Sequence, residues 1–111
     1  HTLLVLLELV REGVYSLNDL PYYLSHKVAD RFKIIDRGYI REGYWADCVL
    51  VDLEYKHTVT KENTSYFCGW SPFEGDTFNS KVISTFVNGK HAYNEGRILE
   101  TNLGVQLEFN R

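Results

Sequence analysis

Hydrophobic positions follow a helical period in the first third of the chain and a strand-like pattern afterwards. Residues 3–10 are apolar except for Glu8, and Gly13 follows shortly after Arg11. Glycine is common just past a helix C-terminus, and a basic residue is favourable in the last turn. The pattern therefore predicts a first helix that ends near Arg11.

The apolar residues cover most of the circumference of this first helix. A helix of that kind is normally buried on more than one side, and the run is well short of the roughly 20 residues that cross a bilayer. A chain of 111 residues holds little material to surround it. We therefore expect the helix to pack inside a larger body; the alternative is the core helix of a complete small domain.

A second, amphipathic helix is predicted between residues 16 and 32. Ser16 followed by Asp19 resembles a capping box, while Asn18 as the cap would place Pro21 acceptably in the first turn. Both starts remain open from the sequence. The helix ends near the last member of an apolar stripe with spacings of three and four: Leu17, Leu20, Leu24, Val28 and Phe32.

From Gly38 onward the pattern is typical of strands and turns. The segment 46–52 is interpreted as a buried strand closed by acidic residues, and Asn88-Gly89 is a strong hairpin signal. Two helices followed mostly by strands predict an α+β fold. The full set of predicted strands is 39–43, 46–52, 56–59, 81–87, 90–94 and 105–109.

Composition excludes several classes of protein. Lysine and arginine total 12 against 15 acidic residues, which gives a net charge of −3 and no basic footprint for nucleic acid. An apolar content of 44% excludes wholesale disorder. Two cysteines without a visible signal peptide indicate a reducing, cytoplasmic setting. Because the chain contains no methionine, we expect it to begin inside a longer protein. From the net charge and the short apolar run we expect neither nucleic acid nor a membrane as a partner.

Metal-ligating and nucleophilic residue types are present without catalytic spacing. His26 is expected on the polar surface of the second helix, and His57 and His91 in exposed segments. No His-x-His or His-Glu-x-x-His pattern occurs, and no zinc-type pairing with the cysteines. The complete set of these residues is His1, His26, His57, His91, Cys48 and Cys68.

The cysteines and the strand-end acids favour structural roles. Cys48 lies in an apolar strand and Cys68 in a loop with no activating histidine placed beside it. Asp47 and Asp52 would be about 17 Å apart along an extended strand, too far for a paired acid and base. We therefore predict no catalytic, cofactor-binding or metal-binding residue in this chain.

One segment resembles a signature of the amidohydrolase superfamily. Residues 36–52 read Asp-Arg-Gly-Tyr-Ile-Arg-Glu-Gly-Tyr-Trp-Ala-Asp-Cys-Val-Leu-Val-Asp. In that superfamily the signature marks the return of the chain from a metal-bearing (β/α)₈ barrel to an accessory β-sandwich. Gly38 and Gly43 permit tight turns, Ala46 fits a crowded corner, and Asp47 can accept backbone hydrogen bonds there.

A second segment narrows the resemblance. Residues 68–75, Cys-Gly-Trp-Ser-Pro-Phe-Glu-Gly, together with 82–90, resemble the loop and closing hairpin of dihydroorotases and allantoinases. The Cys-Gly-Trp form and the Leu-Glu-Phe-Asn-Arg ending favour bacterial dihydroorotases. The resemblance implies terminal barrel helices over residues 1–35 and the C-terminal part of the sandwich over 36–111, with the loop 70–73 used for packing.

The resemblance also implies a function for the parent protein. Dihydroorotases interconvert dihydroorotate and N-carbamoyl-aspartate in pyrimidine biosynthesis, using one or two zinc ions that polarise the carbonyl and supply hydroxide. Their metal ligands lie upstream of the matched region, and no residue of this chain aligns with them.

The chain is therefore expected to be an inactive, structural C-terminal fragment of a dihydroorotase. Its expected partners are the remainder of the parent chain and, through an exposed first helix, other copies of itself; it should bind no metal alone. The alternatives are an allantoinase or hydantoinase fragment, or a non-catalytic amidohydrolase-like scaffold or interaction module.

Overall fold

The computed structural model describes residues 2–62, 71–99 and 102–110, in which helices precede strands. The chain divides into two units, His1–Tyr15 with Asp52–Lys81 and Ser16–Val51 with Val82–Arg111. The predicted α+β class is confirmed. In the described part of the chain, no helix combines the length and apolar character needed to cross a bilayer.

The first helix, α1, runs from Thr2 to Arg11 and ends as predicted. Gly13 adopts φ +80°, which an L-residue with a side chain rarely does. Its N–H donates to the Val10 carbonyl at 3.0 Å, and the Val14 N–H donates to the Leu9 carbonyl at 2.9 Å. These two bonds form a Schellman motif, which explains why the helix stops at this point.

The first unit packs α1 beside a short two-stranded ladder. Strand β2, His57–Thr58, pairs antiparallel with β3, Thr77–Phe78. The first is shorter than the predicted strand 56–59, and the second was missed. Leu7, Val59 and Phe78 are buried, so the core of this unit lies where the helix meets the ladder.

The second helix, α2, consists of three consecutive helical segments in the second unit: Asp19–Pro21, the π-helical Tyr22–His26 and Lys27–Phe32. The Ser16 N–H donates to the Asp19 carboxylate at 2.9 Å, while Asn18 makes no side-chain cap bond. The helix thus begins at Asp19 with Asn18 in the N-cap position, as the second predicted start has it, while the contact of Ser16 with Asp19 is the reciprocal half of a capping box.

The C-terminus of α2 forms a second Schellman motif without a glycine. Lys33 holds the left-handed position at φ 54°. Its N–H donates to the Asp30 carbonyl at 3.3 Å, and the Ile34 N–H donates to the Ala29 carbonyl at 2.9 Å. The predicted end near Phe32 is confirmed.

The apolar stripe of α2 is mostly exposed. Leu20 is buried, as is Ala29 on another side of the helix. In contrast, Leu24 is 41%, Val28 42% and Phe32 62% exposed. The helix therefore packs on its own unit through Leu20 and Ala29 and leaves most of its apolar stripe uncovered.

Four strands of the described residues form the main sheet in the order β1-β4-β5-β6. Strands β4 and β5 were predicted with their observed bounds, and both pair antiparallel with their hairpin neighbours. Asn88 and Gly89 have φ 53° and 80°, as a type I′ hairpin requires. The bounds are Cys48–Asp52 for β1, Lys81–Val87 for β4, Lys90–Asn94 for β5 and Arg97–Ile98 for β6.

Three strand predictions were wrong in part. Residues 39–43 form bends and a turn instead of a strand: the Tyr44 N–H donates to the Arg41 carbonyl at 3.1 Å, and Gly38 and Gly43 have positive φ. Residues 105–109 contribute only an isolated bridge, in which Phe109 pairs with Ile34. Strand β1 exists but is not buried, because Val49 and Leu50 are 47% and 56% exposed.

Candidate functional site

A polar network centred on Arg37 connects the signature segment with the hairpin in the second unit. Arg37 Nη1 donates to Asp47 Oδ2 at 2.6 Å and to Asn88 Oδ1 at 2.8 Å. The guanidinium carbon lies 4.9 Å from the centre of the Trp45 ring. The Arg37 side chain is only 11% exposed, so the paired carboxylate compensates a charge that is largely removed from water.

The other oxygen of Asp47 joins this network to the hairpin. Asp47 Oδ1 accepts the Asn88 N–H at 2.8 Å, and the Ala46 carbonyl accepts the Gly89 N–H at 2.9 Å. The Asn88 amide donates in turn to the Leu103 carbonyl. The predicted backbone-binding role of Asp47 is confirmed. The prediction that Ala46 lies in a crowded corner was wrong, since this residue is exposed.

A surface cavity of about 400 Å³ lies beside the network. Its walls are largely apolar, and Arg37 Nη2, which is buried, has no hydrogen-bond partner. The charge of Arg37 is balanced by Asp47. Asp47 also lines the cavity beside the half-buried thiol of Cys48, but its carboxylate already accepts from Arg37 and from the Asn88 N–H. The arrangement therefore holds segments together and assembles no nucleophile–base pair. Its lining includes Arg37, Asp47, Cys48, Val49, Phe86 and Val105.

The three histidines that the structure describes, His26, His57 and His91, lie against aromatic rings. His26 stacks on Tyr39 with ring centres 4.2 Å apart, and His91 stacks on Phe86 at 4.5 Å. His57 contacts Phe78 at 6.0 Å between ring centres. All three are half-buried, so the expected exposure of these side chains was wrong. The rings supply apolar contact area that the sequence pattern does not reveal.

Tyr39 joins α2 to the turn that follows it. Its hydroxyl donates to Asp30 Oδ2 at 2.7 Å, and the Arg41 guanidinium lies 3.9 Å from the ring centre. The hydrogen bond to Asp30 is the main cause that raises the pKa of Tyr39 above 10.0, with desolvation and the charge of Asp30 adding to it. The phenol is thus held in its protonated form.

The remaining predicted candidates do not converge on a site. Asp52 accepts the Glu54 N–H at 2.8 Å in a local turn, while Asp47 belongs to the Arg37 network. Residues 2–62, 71–99 and 102–110 contain no group of three or more side chains suited to hold a metal ion. His1, Cys68 and Trp70 lie outside the described residues, and the predicted absence of site residues stays a prediction.

Sequence reasoning missed the partners that make Asp47 important. Asn88 was recognised only as a turn residue, and Arg37 only as a member of the signature. Their contacts join positions 10 to 51 residues apart. The signal that could have found the pair is the presence of a basic and an acidic residue, Arg37 and Asp47, in one turn-rich motif, which favours a fixed ion pair.

Comparison with curated proteins finds relatives over most of the chain. It is 39% identical over 93 residues to an allantoinase of Desulfitobacterium hafniense, covering 84% of this chain and 21% of that protein. It is 38% identical over 92 residues to a dihydroorotase of Clostridium acetobutylicum, covering 83% and 22%. No protein-family model matches the chain.

Solved structures show the same arrangement of elements. The crystal structure of a dihydropyrimidinase from Brevibacillus agri matches with a TM-score of 0.74 and 32% identity. The match covers 83% of this chain and 20% of that one. The chain thus spans about one fifth of the length of the proteins that it resembles.

Proposed function

We propose that the chain, a homologue of the dihydroorotases and allantoinases, is the C-terminal structural portion of a dihydroorotase. These relatives are hydrolases, and the chain matches about one fifth of their length. The observation that carries the proposal is the 38% identity to a dihydroorotase over 92 residues, which agrees with the two sequence motifs.

In this proposal the two predicted parts of the chain have different positions in the parent enzyme. Residues 1–35 are the terminal helices of the metal-dependent barrel, and residues 36–111 are the C-terminal part of the accessory β-sandwich. The exposed stripe on α2 and the exposed faces of β1 support the idea that further polypeptide covers them.

The parent enzyme would interconvert dihydroorotate and N-carbamoyl-aspartate in the cytoplasm. One or two zinc ions would polarise the amide carbonyl and activate water when bound, held by residues outside this chain. The contribution of this chain is mechanical: the Arg37–Asp47–Asn88 network fixes the turn-rich signature against the hairpin.

The test is a chimera of the Clostridium acetobutylicum dihydroorotase in which this chain replaces the stretch that it matches. We expect the chimera to be soluble and to hydrolyse dihydroorotate to N-carbamoyl-aspartate. The matched control is the same enzyme without the stretch, which should lose activity. An insoluble or inactive chimera beside an active parental enzyme would contradict the proposal.

An allantoinase is the second candidate, favoured by the 39% identity to the Desulfitobacterium protein. The two are separated by exchanging this chain into both relatives and comparing the retained activity on dihydroorotate and on allantoin. Greater retention in the allantoinase chimera would overturn the assignment to dihydroorotases.

A further inference from the structure

The exposed side of α2 combines apolar anchors with positive charge. Leu24, Val28 and Phe32 are each more than two fifths exposed, at successive spacings of four residues. Lys27 and Arg31 are exposed beside them, one position before Val28 and Phe32 in sequence. We call these five residues the basic–apolar face. Side chains four apart on a helix project from one side, so this face can engage a single partner surface.

The shape of the second unit extends this face into two shallow cavities. One, of about 540 Å³, is lined by Tyr23, Lys27, Val28, Asp30, Arg31 and Phe32, and so by two basic side chains and one acidic one. The other, of about 430 Å³, shares Arg31 and Phe32 with the first and continues to Phe109. Two depressions that share Arg31 and Phe32 are suited to receive side chains from a partner.

The charge of the face selects the kind of partner. Lys33 continues the basic row, whereas Asp30 is the acid on this stretch and its carboxylate accepts the Tyr39 hydroxyl. The complete chain carries a net charge of −3, so the local sign is the reverse of the global one. Two copies joined about a two-fold axis through this face would bring the basic row close to itself, which is unfavourable.

We propose that the basic–apolar face docks on an acidic, apolar-centred surface of the remaining amidohydrolase polypeptide. This inference rests on the proposed function. The relatives are four to five times as long as the matched stretch, so a parent protein of that length holds a large body of polypeptide that can cover this face. Carboxylates of that body pair with Lys27 and Arg31 while its apolar side chains cover Val28 and Phe32.

The experiment measures hydrogen exchange of residues 22–32 in the isolated chain and in the dihydroorotase chimera. Docking should slow exchange in the chimera by about tenfold or more, since opening the helix then also breaks the interface. The double variant K27E/R31E should reverse most of this protection in the chimera. In the isolated chain it removes the contacts of Lys27 Nζ with the rings of Tyr22 and Tyr23, at 5.8 and 5.5 Å from their centres, and should change exchange much less than in the chimera. The matched control is K90E, which changes an exposed lysine on β5.

Each result decides a different point. A soluble, active chimera with unprotected residues 22–32, or with protection that K27E/R31E leaves intact, would overturn the docking face and leave the proposed function standing. An insoluble chimera would contradict the proposed function and this inference with it. Association of the isolated chain with itself through this face, detected as protection that rises with concentration and is lost in K27E/R31E, would replace the proposed occupant by a second copy.

Discussion

At the scale of single residues, the two helix ends differ in how well their residues suit the left-handed position. Both close with the same pair of hydrogen bonds, but Gly13 occupies this position after α1 and Lys33 after α2. A side chain in the left-handed region costs about 1 kcal/mol through contact with its own backbone. The second helix therefore carries a strain that the first avoids.

Replacement of Lys33 by glycine should relieve this strain. We expect K33G to raise the free energy of unfolding by about 0.5–1 kcal/mol, after the greater flexibility of glycine in the unfolded chain is included. The matched control, G13A, should lower the free energy of unfolding by about 1 kcal/mol, because alanine is strained in the left-handed region. A Cβ at this position meets nothing within 4 Å, so no steric clash adds to this loss. Urea unfolding measures both changes; destabilisation by K33G would show that the lysine side chain has an important contact.

A close approach at Gly38 provides a second prediction. A Cβ at this position would lie 2.4 Å from the Cβ of Ala29, whereas one at Gly43 would meet nothing within 4 Å. The two glycines have nearly the same φ, 87° and 84°. G43A should therefore cost about 1–2 kcal/mol for conformation alone, and G38A a further 1–3 kcal/mol or so for overpacking. Equal losses of thermal stability would rule out the steric effect.

Tyr39 gives a prediction on pH. Because its pKa in the folded chain is raised above 10.0, mainly by the bond to Asp30, the interaction stabilises the fold below that pH. The stabilisation is lost as the pH rises from the unfolded-state value through the folded one. Tyrosinate absorbance should show one late-titrating phenol that disappears in Y39F and titrates earlier in D30N. An unchanged titration in D30N would contradict this assignment.

At the scale of elements, Asp47 holds the signature segment to the β4–β5 hairpin. D47A removes the partner of Arg37, which is only 11% exposed, and the acceptor of the Asn88 N–H. We expect a loss of about 1–3 kcal/mol. The matched control D52A breaks only a local turn bond and should cost less than about 1 kcal/mol. Similar unfolding midpoints for the two variants would refute the importance of the network.

The elements that local signals specify were predicted, and those that depend on distant partners were not. Gly13 and Asn88-Gly89 determine a helix end and a hairpin within a few residues, so α1, β4 and β5 follow from the sequence. Residues 105–109 alternate like a strand but find only one bridge partner. The Arg37 network joins residues up to 51 positions apart. The spacing of apolar residues along the chain carries no information about such contacts.

At the scale of the whole molecule, we expect copies of the chain to associate through α1. The first helix was expected to present apolar surface to a second copy, and its apolar residues are half-buried apart from the buried Leu7. Apolar surface of this kind favours association. Sedimentation velocity should show a mass that increases with concentration. A single monomeric species, with α1 well protected from hydrogen exchange, would contradict the expectation.

The Arg37 network also has a consequence for the order of folding. The Asn88 N–H that Asp47 accepts is presented by a turn with positive φ at both central positions, so we expect the hairpin to close before this bond forms. Hairpins close in about 1–10 μs, while bringing residue 37 to residue 88 requires closure of a long loop. The signature segment is therefore captured late, and mutations in the network should mainly accelerate unfolding rather than slow the folding step.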